Sequence, residues 1–408
     1  MRKINTRSFR LATRATPREV NRQIVLNLIR EHQPISRAEL ARRMNVRRAS
    51  LTTIVRELIG AGDVEETGTA AVARGRRPTL LRVKTSGRLA FAVDVRPGRT
   101  TIALADFGGH VLARDSIETP DHPRQLASQL AAALNALMTS YEKTHGGPAV
   151  GDDELCQGVG IVVPGMVDRR SGKVLYAPRL GWRDVQLRDA IAQEMGVPVY
   201  VESAPIACAL ARLWSLDGKS RAVNNFAYVS VSDGLGVGIV YKGEVLRGET
   251  HTAGELGHVS LDPNGPLCAC GKRGCWEAFA CDAATIARYV GTTTRRGANT
   301  PSVEEIVRRA KHDEKAAVAA IVETGRQVGR GLANVVSAFN PKRVYVGGEV
   351  TAAWGILEPQ IRAALAEQTL TDATRTTPVY ADSNPAEYRL LGAVALVAAP
   401  TFAAPRVG

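Results

Sequence analysis

The excess positive charge of this chain is confined to its first fifth, and that confinement divides it into two units before any secondary structure is considered. Residues 1–88 hold 20 Lys and Arg against 7 Asp and Glu, whereas the rest of the 408 residues hold 33 of each, so the net +13 belongs to the first segment. A uniformly basic enzyme would spread the excess. A small basic unit ahead of a large neutral one is the electrostatic footprint of a polyanion binder joined to a second module. With 45% hydrophobic residues the chain can bury large cores. No apolar run approaches the roughly 18 residues of a membrane span, and the N-terminus lacks the apolar core of a secretory signal. The expectation is a cytoplasmic protein with no membrane partner. Residues 1–17, Arg-rich and acid-free, read as a flexible basic arm.

Residues 18–87 read as a winged helix-turn-helix. Val20, Ile24, Val25, Leu28 and Ile29 repeat at helical spacing, and Pro34 ends that helix. Ser36-Arg37-Ala38-Glu39 has the form of a capping box, Ser36 bonding the first-turn amides and Glu39 reaching back. After a short turn at Met44-Asn45-Val46, a third helix runs from about Arg47 to Ile59, stopped by Gly60 and Gly62. Leu51, Ile54, Val55 and Leu58 form its buried face. Arg47, Arg48, Ser50, Thr52, Thr53 and Arg56 are placed to reach base edges and phosphates from the major groove. Residues 63–85 then read as a hairpin wing. Its loop carries Arg74, Arg76 and Arg77 beside Gly75 and Pro78, a segment narrow enough to enter the minor groove.

The long remainder reads as two strand–helix halves around Gly-rich turns, hence a two-lobed α/β fold with a central cleft. Leu89–Asp94 and Thr100–Asp106 alternate as a β-hairpin, and helices are expected near 123–145 and 204–214. Strands are expected at 158–163, 197–202, 227–232 and 343–346, with Gly-rich turns at 234–238 and 347–348. Three cysteines, Cys268, Cys270 and Cys275, cluster downstream of His258. Three thiolates and an imidazole suit tetrahedral Zn²⁺ in a closed structural site, with no position left for an activated water. Cys156, Cys208 and Cys281 sit among apolar residues and read as core.

Three stretches carry a specific resemblance. Gly234-Leu-Gly-Val-Gly238 through Gly254-Glu-Leu-Gly-His258, Cys268-Ala-Cys-Gly-Lys-Arg-Gly-Cys-Trp-Glu277, and Ala177-Pro-Arg-Leu-Gly-Trp182 resemble the signatures of the ROK family (repressors, open reading frames and sugar kinases). The likeness covers roughly residues 88–400, and the helix-turn-helix in front is similar to that family's repressor branch. It implies an actin-like, ribonuclease H-like sugar-kinase fold. One lobe would span 88–203, completed by 389–408, and the other 204–388 with the zinc site. It implies sugar contacts from Glu255, His258 and Glu277. It also implies a sugar-binding Asn and a catalytic Asp where this chain has Ser203 and Ala204. A Gly-rich phosphate loop is implied where it has Arg96 and Pro97, and a Thr hydroxyl where it has Leu235. A kinase needs a base for the attacking hydroxyl, and Ala has none. The expected function is a bacterial DNA-binding regulator, a repressor of carbohydrate genes. It would act as a homodimer or higher oligomer on a double-stranded operator, joining the nucleoid when bound, and sense a sugar or sugar derivative in a catalytically inactive domain. The alternatives are a regulator with a vestigial effector site and an active sugar kinase with an accessory DNA-binding head.

Overall fold

The computed structural model describes residues 16–69, 77–85, 87–145, 156–214, 223–250, 252–291, 300–382 and 384–402. Helix α1 (Thr16–His32) begins inside the stretch expected to be a flexible arm. It buries Val25, Leu26 and Ile29. Strand β1 (Ile35–Ser36) leads into α2 (Arg37–Met44), where Ser36 Oγ accepts the Glu39 amide at 3.2 Å. Only that half of the expected capping box forms, because the Glu39 carboxylate pairs with Arg42 and Arg43 one turn on. Asn45 closes α2 in the left-handed region (φ 52°), and α3 (Arg48–Gly60) follows with Arg47 as its N-cap. The wing is β2 (Val64–Thr69) and β3 (Thr79–Val83). β1 adds to it in the order β1-β3-β2, a strand too short to show in the sequence pattern.

Two five-stranded sheets make up the rest. The first is built from β4 (Leu89–Arg96), β5 (Arg99–Asp106), β6 (Val111–Glu118), β7 (Cys156–Val163) and β11 (Val199–Ser203), in the order β11-β7-β4-β5-β6. Helices α4 (Pro123–His145) and α5 (Leu187–Met195) cover one of its faces. A small sheet of β8 (Met166–Asp168), β9 (Lys173–Ala177) and β10 (Trp182–Val185) sits at its edge. The second sheet contains β12 (Phe226–Val231), β13 (Leu235–Tyr241), β14 (Glu244–Val245), β15 (Arg343–Gly347) and β16 (Val379–Ala381), in the order β14-β13-β12-β15-β16. Each sheet pairs its first two hairpins antiparallel and adds its last two strands parallel, so the two repeat one topology. Helices α7 (Trp276–Ala280), α8 (Asp282–Val290), α9 (Val303–Lys311), α10 (Lys315–Phe339), α11 (Trp354–Gln368) and α12 (Asp372–Arg375) belong to this second half. The stretch Gly234–Gly238, expected as a turn, is mostly strand. The turn is Ser232–Gly234, and the glycines beyond it lie in β13.

Helix α6 (Ala204–Trp214) and the late helix α13 (Pro385–Phe402) pack together between the sheets. α13 lies on β4 and β7, which explains a division of size along β4: Phe91, Val93 and Val95 face α4, while Ala90 and Ala92 face α13. Contact is close enough that a Cβ on Gly160 would sit 1.9 Å from the Ala393 carbonyl oxygen. The far end of α13 also carries the head. The Gln23 amide donates to the Thr401 carbonyl (2.9 Å) and the Asn27 amide to that of Phe402 (3.0 Å). The Arg30 guanidinium lies over the rings of Trp214 (4.9 Å) and Phe402 (5.4 Å). No helix among the described residues is long and apolar enough to cross a membrane.

Candidate functional site

The head sorts its own charges. Glu39, Glu57, Asp63, Glu65 and Glu66 each pair with arginines: Arg42 and Arg43, Arg18, Arg22 and Arg88, Arg82, and Arg37. The arginines of α3 have no such partner. Arg47, Arg48 and Arg56 are exposed and make no ion pair among the described residues. Ser50 and Thr53 are exposed beside them, and Thr52 is half-buried with its hydroxyl donated to the Arg48 carbonyl (2.9 Å). Opposite, Leu51, Val55 and Leu58 are buried against α1 and α2. Among the described residues, three unpaired arginines of the head therefore sit on or beside one outward helix face, of a width the major groove admits. Arg77 is exposed at the base of the wing, whereas Arg74 and Arg76 fall in 70–76, outside the described residues.

The two lobes enclose a narrow cleft of about 80 Å³, and Glu255, His258 and Glu277 all line it. Glu255 follows Gly254 in a short 3-10 turn that ends at His258. The Glu255 side chain stays about 40% exposed, yet the cleft walls desolvate its carboxyl and, with the Glu277 charge, raise its pKa to about 7. Glu277 is more committed than a sugar-binding carboxylate is expected to be. One oxygen accepts the Leu235 amide (3.0 Å) and the other the Cys268 thiol (3.5 Å). Ala204 and Pro205, which open α6, form the opposite wall. Neighbouring Glu202 is buried; it accepts the Ser203 amide (3.0 Å) and pairs with Arg247 of the other half.

His258, Cys268, Cys270 and Cys275 bring one ligand atom each to within 4.8 Å of one another. The Cys270 and Cys275 sulfurs are 3.7 Å apart, as are Cys268 Sγ and His258 Nδ1. Four ligands around zinc with Zn–S of about 2.3 Å stand about 3.6–3.8 Å apart, so the set fits a tetrahedral ion. The imidazole turns Nδ1 to the thiols and Nε2 toward Glu255, 3.9 Å away. Cys208 and Cys281 are buried and Cys156 half-buried.

Behind Arg389, which lines the cleft, the protein's own charges form a buried cluster. Asp94 lies between two guanidinium groups, Arg96 Nε at 3.0 Å and Arg389 Nε at 2.6 Å. Arg96 continues to Glu349 (2.6 Å), which ties the first lobe to the second. Burial opposes the Arg96 charge, but Asp94 and Glu349 more than offset it and raise its pKa; burial works on Glu349 too, and Arg96 overrides it downward. Asp282 at the start of α8 is pushed well upward by burial and by Glu349 and Asp233. Gly347 and Gly348 are accounted for by packing. A Cβ would fall 2.0 Å from the Tyr228 hydroxyl at one and 1.5 Å from the Val231 carbonyl oxygen at the other. The sequence reading did not assign Arg389, Glu349 or Asp282. A signal for Arg389 existed: a lone cation opening the apolar run Leu390–Ala399.

Comparison with known proteins gives the same two-part division. Residues 91–399 match the model of the ROK family, and residues 23–66 match that of the MarR family. A putative xylose repressor from Caldicellulosiruptor sp. (strain Rt8B.4) is 30% identical over 97% of this chain and 99% of its own length. The dual transcriptional regulator NagC of Escherichia coli K12 is 30% identical over 93% of this chain and 92% of its own. Among solved structures, a ROK family transcriptional regulator described as a homologue of E. coli MLC superposes with a TM-score of 0.76 at 29% identity, covering 94% of this chain and 96% of that one. A ROK glucokinase from Streptomyces griseus, in complex with glucose and AMPPNP, covers 75% of this chain and 98% of its own with a TM-score of 0.62 at 26% identity. The chain belongs to the ROK family, with a MarR-type winged helix-turn-helix at its head.

Proposed function

We propose that the protein is a DNA-binding transcriptional regulator, a repressor of carbohydrate genes, whose ROK domain senses a sugar or sugar derivative and transfers no phosphoryl group. The observation that carries this reading is the outward face of α3, where Arg47, Arg48 and Arg56 stay unpaired while the acids of the head are consumed elsewhere. α3 enters the major groove, Arg77 and the wing loop with Arg74 and Arg76 approach the backbone or minor groove, and a homodimer spaces two heads on a two-fold operator. Relatives named as xylose and N-acetylglucosamine repressors support the carbohydrate class.

The cleft supports a sensor rather than a catalyst. Ala204 offers no base, and Arg96, Arg389 and Glu349 crowd the end of the cleft where nucleotide phosphates would need backbone amides. Zinc held by His258, Cys268, Cys270 and Cys275 has a structural role, fixing the segment that presents Glu255 and Glu277. The reading has a direct test. Fluorescence anisotropy with duplex from upstream of the protein's own gene is expected to give tight, salt-dependent binding, reversed by a sugar. Binding unchanged when Arg48 and Arg56 are both replaced by Ala would overturn it.

A further inference from the structure

The cleft carries a cation, Arg179, that forms no ion pair among the described residues, although Asp233, Glu255 and Glu277 line the same cleft. Arg179 stands in the short 3-10 turn Pro178–Leu180 between β9 and β10. It lines the narrow cleft and, on its other side, a second chamber of about 640 Å³. Among the described residues its polar contact is a long one, Nη2 to the Cys281 sulfur at 3.6 Å, and its Nε is buried with no acceptor there. Burial pushes the Cys281 thiol up, so the sulfur is no counter-charge. The other arginine of the cleft, Arg389, is matched by Asp94 at 2.6 Å. In the second chamber Arg288 adds another cation, donating to the Thr324 hydroxyl (2.9 Å) and the Phe279 carbonyl. The one carboxylate lining that chamber, Glu277, is held by the Leu235 amide. A partly desolvated guanidinium without an acid costs stability unless a ligand completes it.

We infer that the effector is an acidic sugar, whose carboxylate or phosphate is received by Arg179 at the mouth between the narrow cleft and the larger chamber. The guanidinium fork matches either anion with two parallel hydrogen bonds. The larger pocket, within the size range of small-molecule sites, leaves room for a ligand that the narrow cleft beside Glu255 does not hold by itself. This rests on the sensor reading proposed above and adds the charge of the ligand to it.

The test uses the full-length protein and isothermal titration with matched probes: D-glucose, D-xylose and N-acetylglucosamine against D-glucuronate, glucose 6-phosphate and N-acetylglucosamine 6-phosphate, with inorganic phosphate alone as a control. The expected result is that at least one acid binds about tenfold or more tighter than its neutral counterpart. R179Q is expected to erase that preference, and R179K to keep part of it. Glucuronate and the phosphates separate the two anion types. Unliganded melting temperatures of the variants establish that they fold. Neutral sugars binding as well as acids, with R179Q indistinguishable from the parent, overturns the inference and leaves sugar sensing intact. Inorganic phosphate binding as tightly as the sugar phosphates reduces Arg179 to a plain anion site and also overturns it. No binding of any sugar defeats the sensor reading itself, and the inference with it.

Discussion

Arg48 sits on the first turn of α3 with its side chain in solvent, and no acid of the head is near enough to claim it. Replacing it, or Arg56, by Ala is expected to cost about 1–3 kcal/mol on the cognate duplex if a base edge is read, and to relax the preference at that base. Competition against an unrelated duplex separates this from a phosphate contact, which weakens all sequences alike. Cys270→Ser gives a second test at this scale. Metal analysis of the parent is expected to find about one zinc per chain, and the variant well under one with a lower melting temperature, because ligand bonds in such a site are folding energy. The cysteine ligands were legible from spacing, since three thiols within eight residues can hardly avoid one another. The Arg96–Glu349 pair was not, because its partners are 253 residues apart and meet only once the chain has folded.

Two elements reach from the cleft to the head: α13, whose Arg389 lines the cleft, and α6. Ala204 and Pro205 line the cleft at its start, and Trp214 at its end packs edge-on against Phe402 (4.8 Å) beneath Arg30 of α1. With 11 residues it spans ~16 Å as a rigid rod. A change in cleft width therefore moves Trp214 and the Phe402 end of α13, to which Gln23 and Asn27 hold α1. Trp214→Ala is expected to lower stability by about 3–5 kcal/mol, as large aromatic truncations in cores do. A milder Phe402→Leu is expected to keep the fold and operator affinity but blunt the effector's influence on DNA binding. The measurement is operator affinity with and without saturating effector; an unaltered ratio in Phe402→Leu would rule out this route. The helical bounds 204–214 and 123–145 were legible because apolar periodicity is local. The strands β6, β8 and β10 were not, although each pairs with adjacent chain: β8 and β10 are three and four residues long, and β6 is largely solvent-facing, so none shows an apolar alternation.

For the whole molecule the division of charge gives the clearest expectation. Binding to duplex is expected to weaken steeply with salt, with a log–log slope of roughly −0.9 per phosphate neutralised, and a chain lacking residues 1–88 should lose salt-dependent binding entirely. Duplex affinity in the headless chain equal to that of the full protein would refute the assignment. Sugar-dependent ATP consumption is expected to be absent across hexoses and amino sugars in a coupled assay. Ala204→Asp alone is expected not to restore it, because Arg96 and Arg389 still pair with Asp94 where the proposed reading puts the nucleotide phosphates. Turnover well above a Glu255→Ala control would reclassify the protein as an enzyme.

The sequence by itself determined what local chemistry and counting can reach. Charge partition, helical periodicity, the Ser36 cap and the cysteine spacing each depend on residues close together in the chain, and they were enough to name a winged head, a two-lobed α/β body and a metal-ligand set. Only the tertiary structure decided which charges are free. The head holds 20 basic residues, and no local rule says which of them meet Glu57, Asp63 or Glu66 from across the fold and which remain for a partner. The same holds in the cleft, where Arg389 and Arg179 look alike in sequence. One is neutralised by Asp94, 295 residues away, and the other by nothing among the described residues. Coulomb energy depends on distance in space and on burial, and both exist only once the chain has folded.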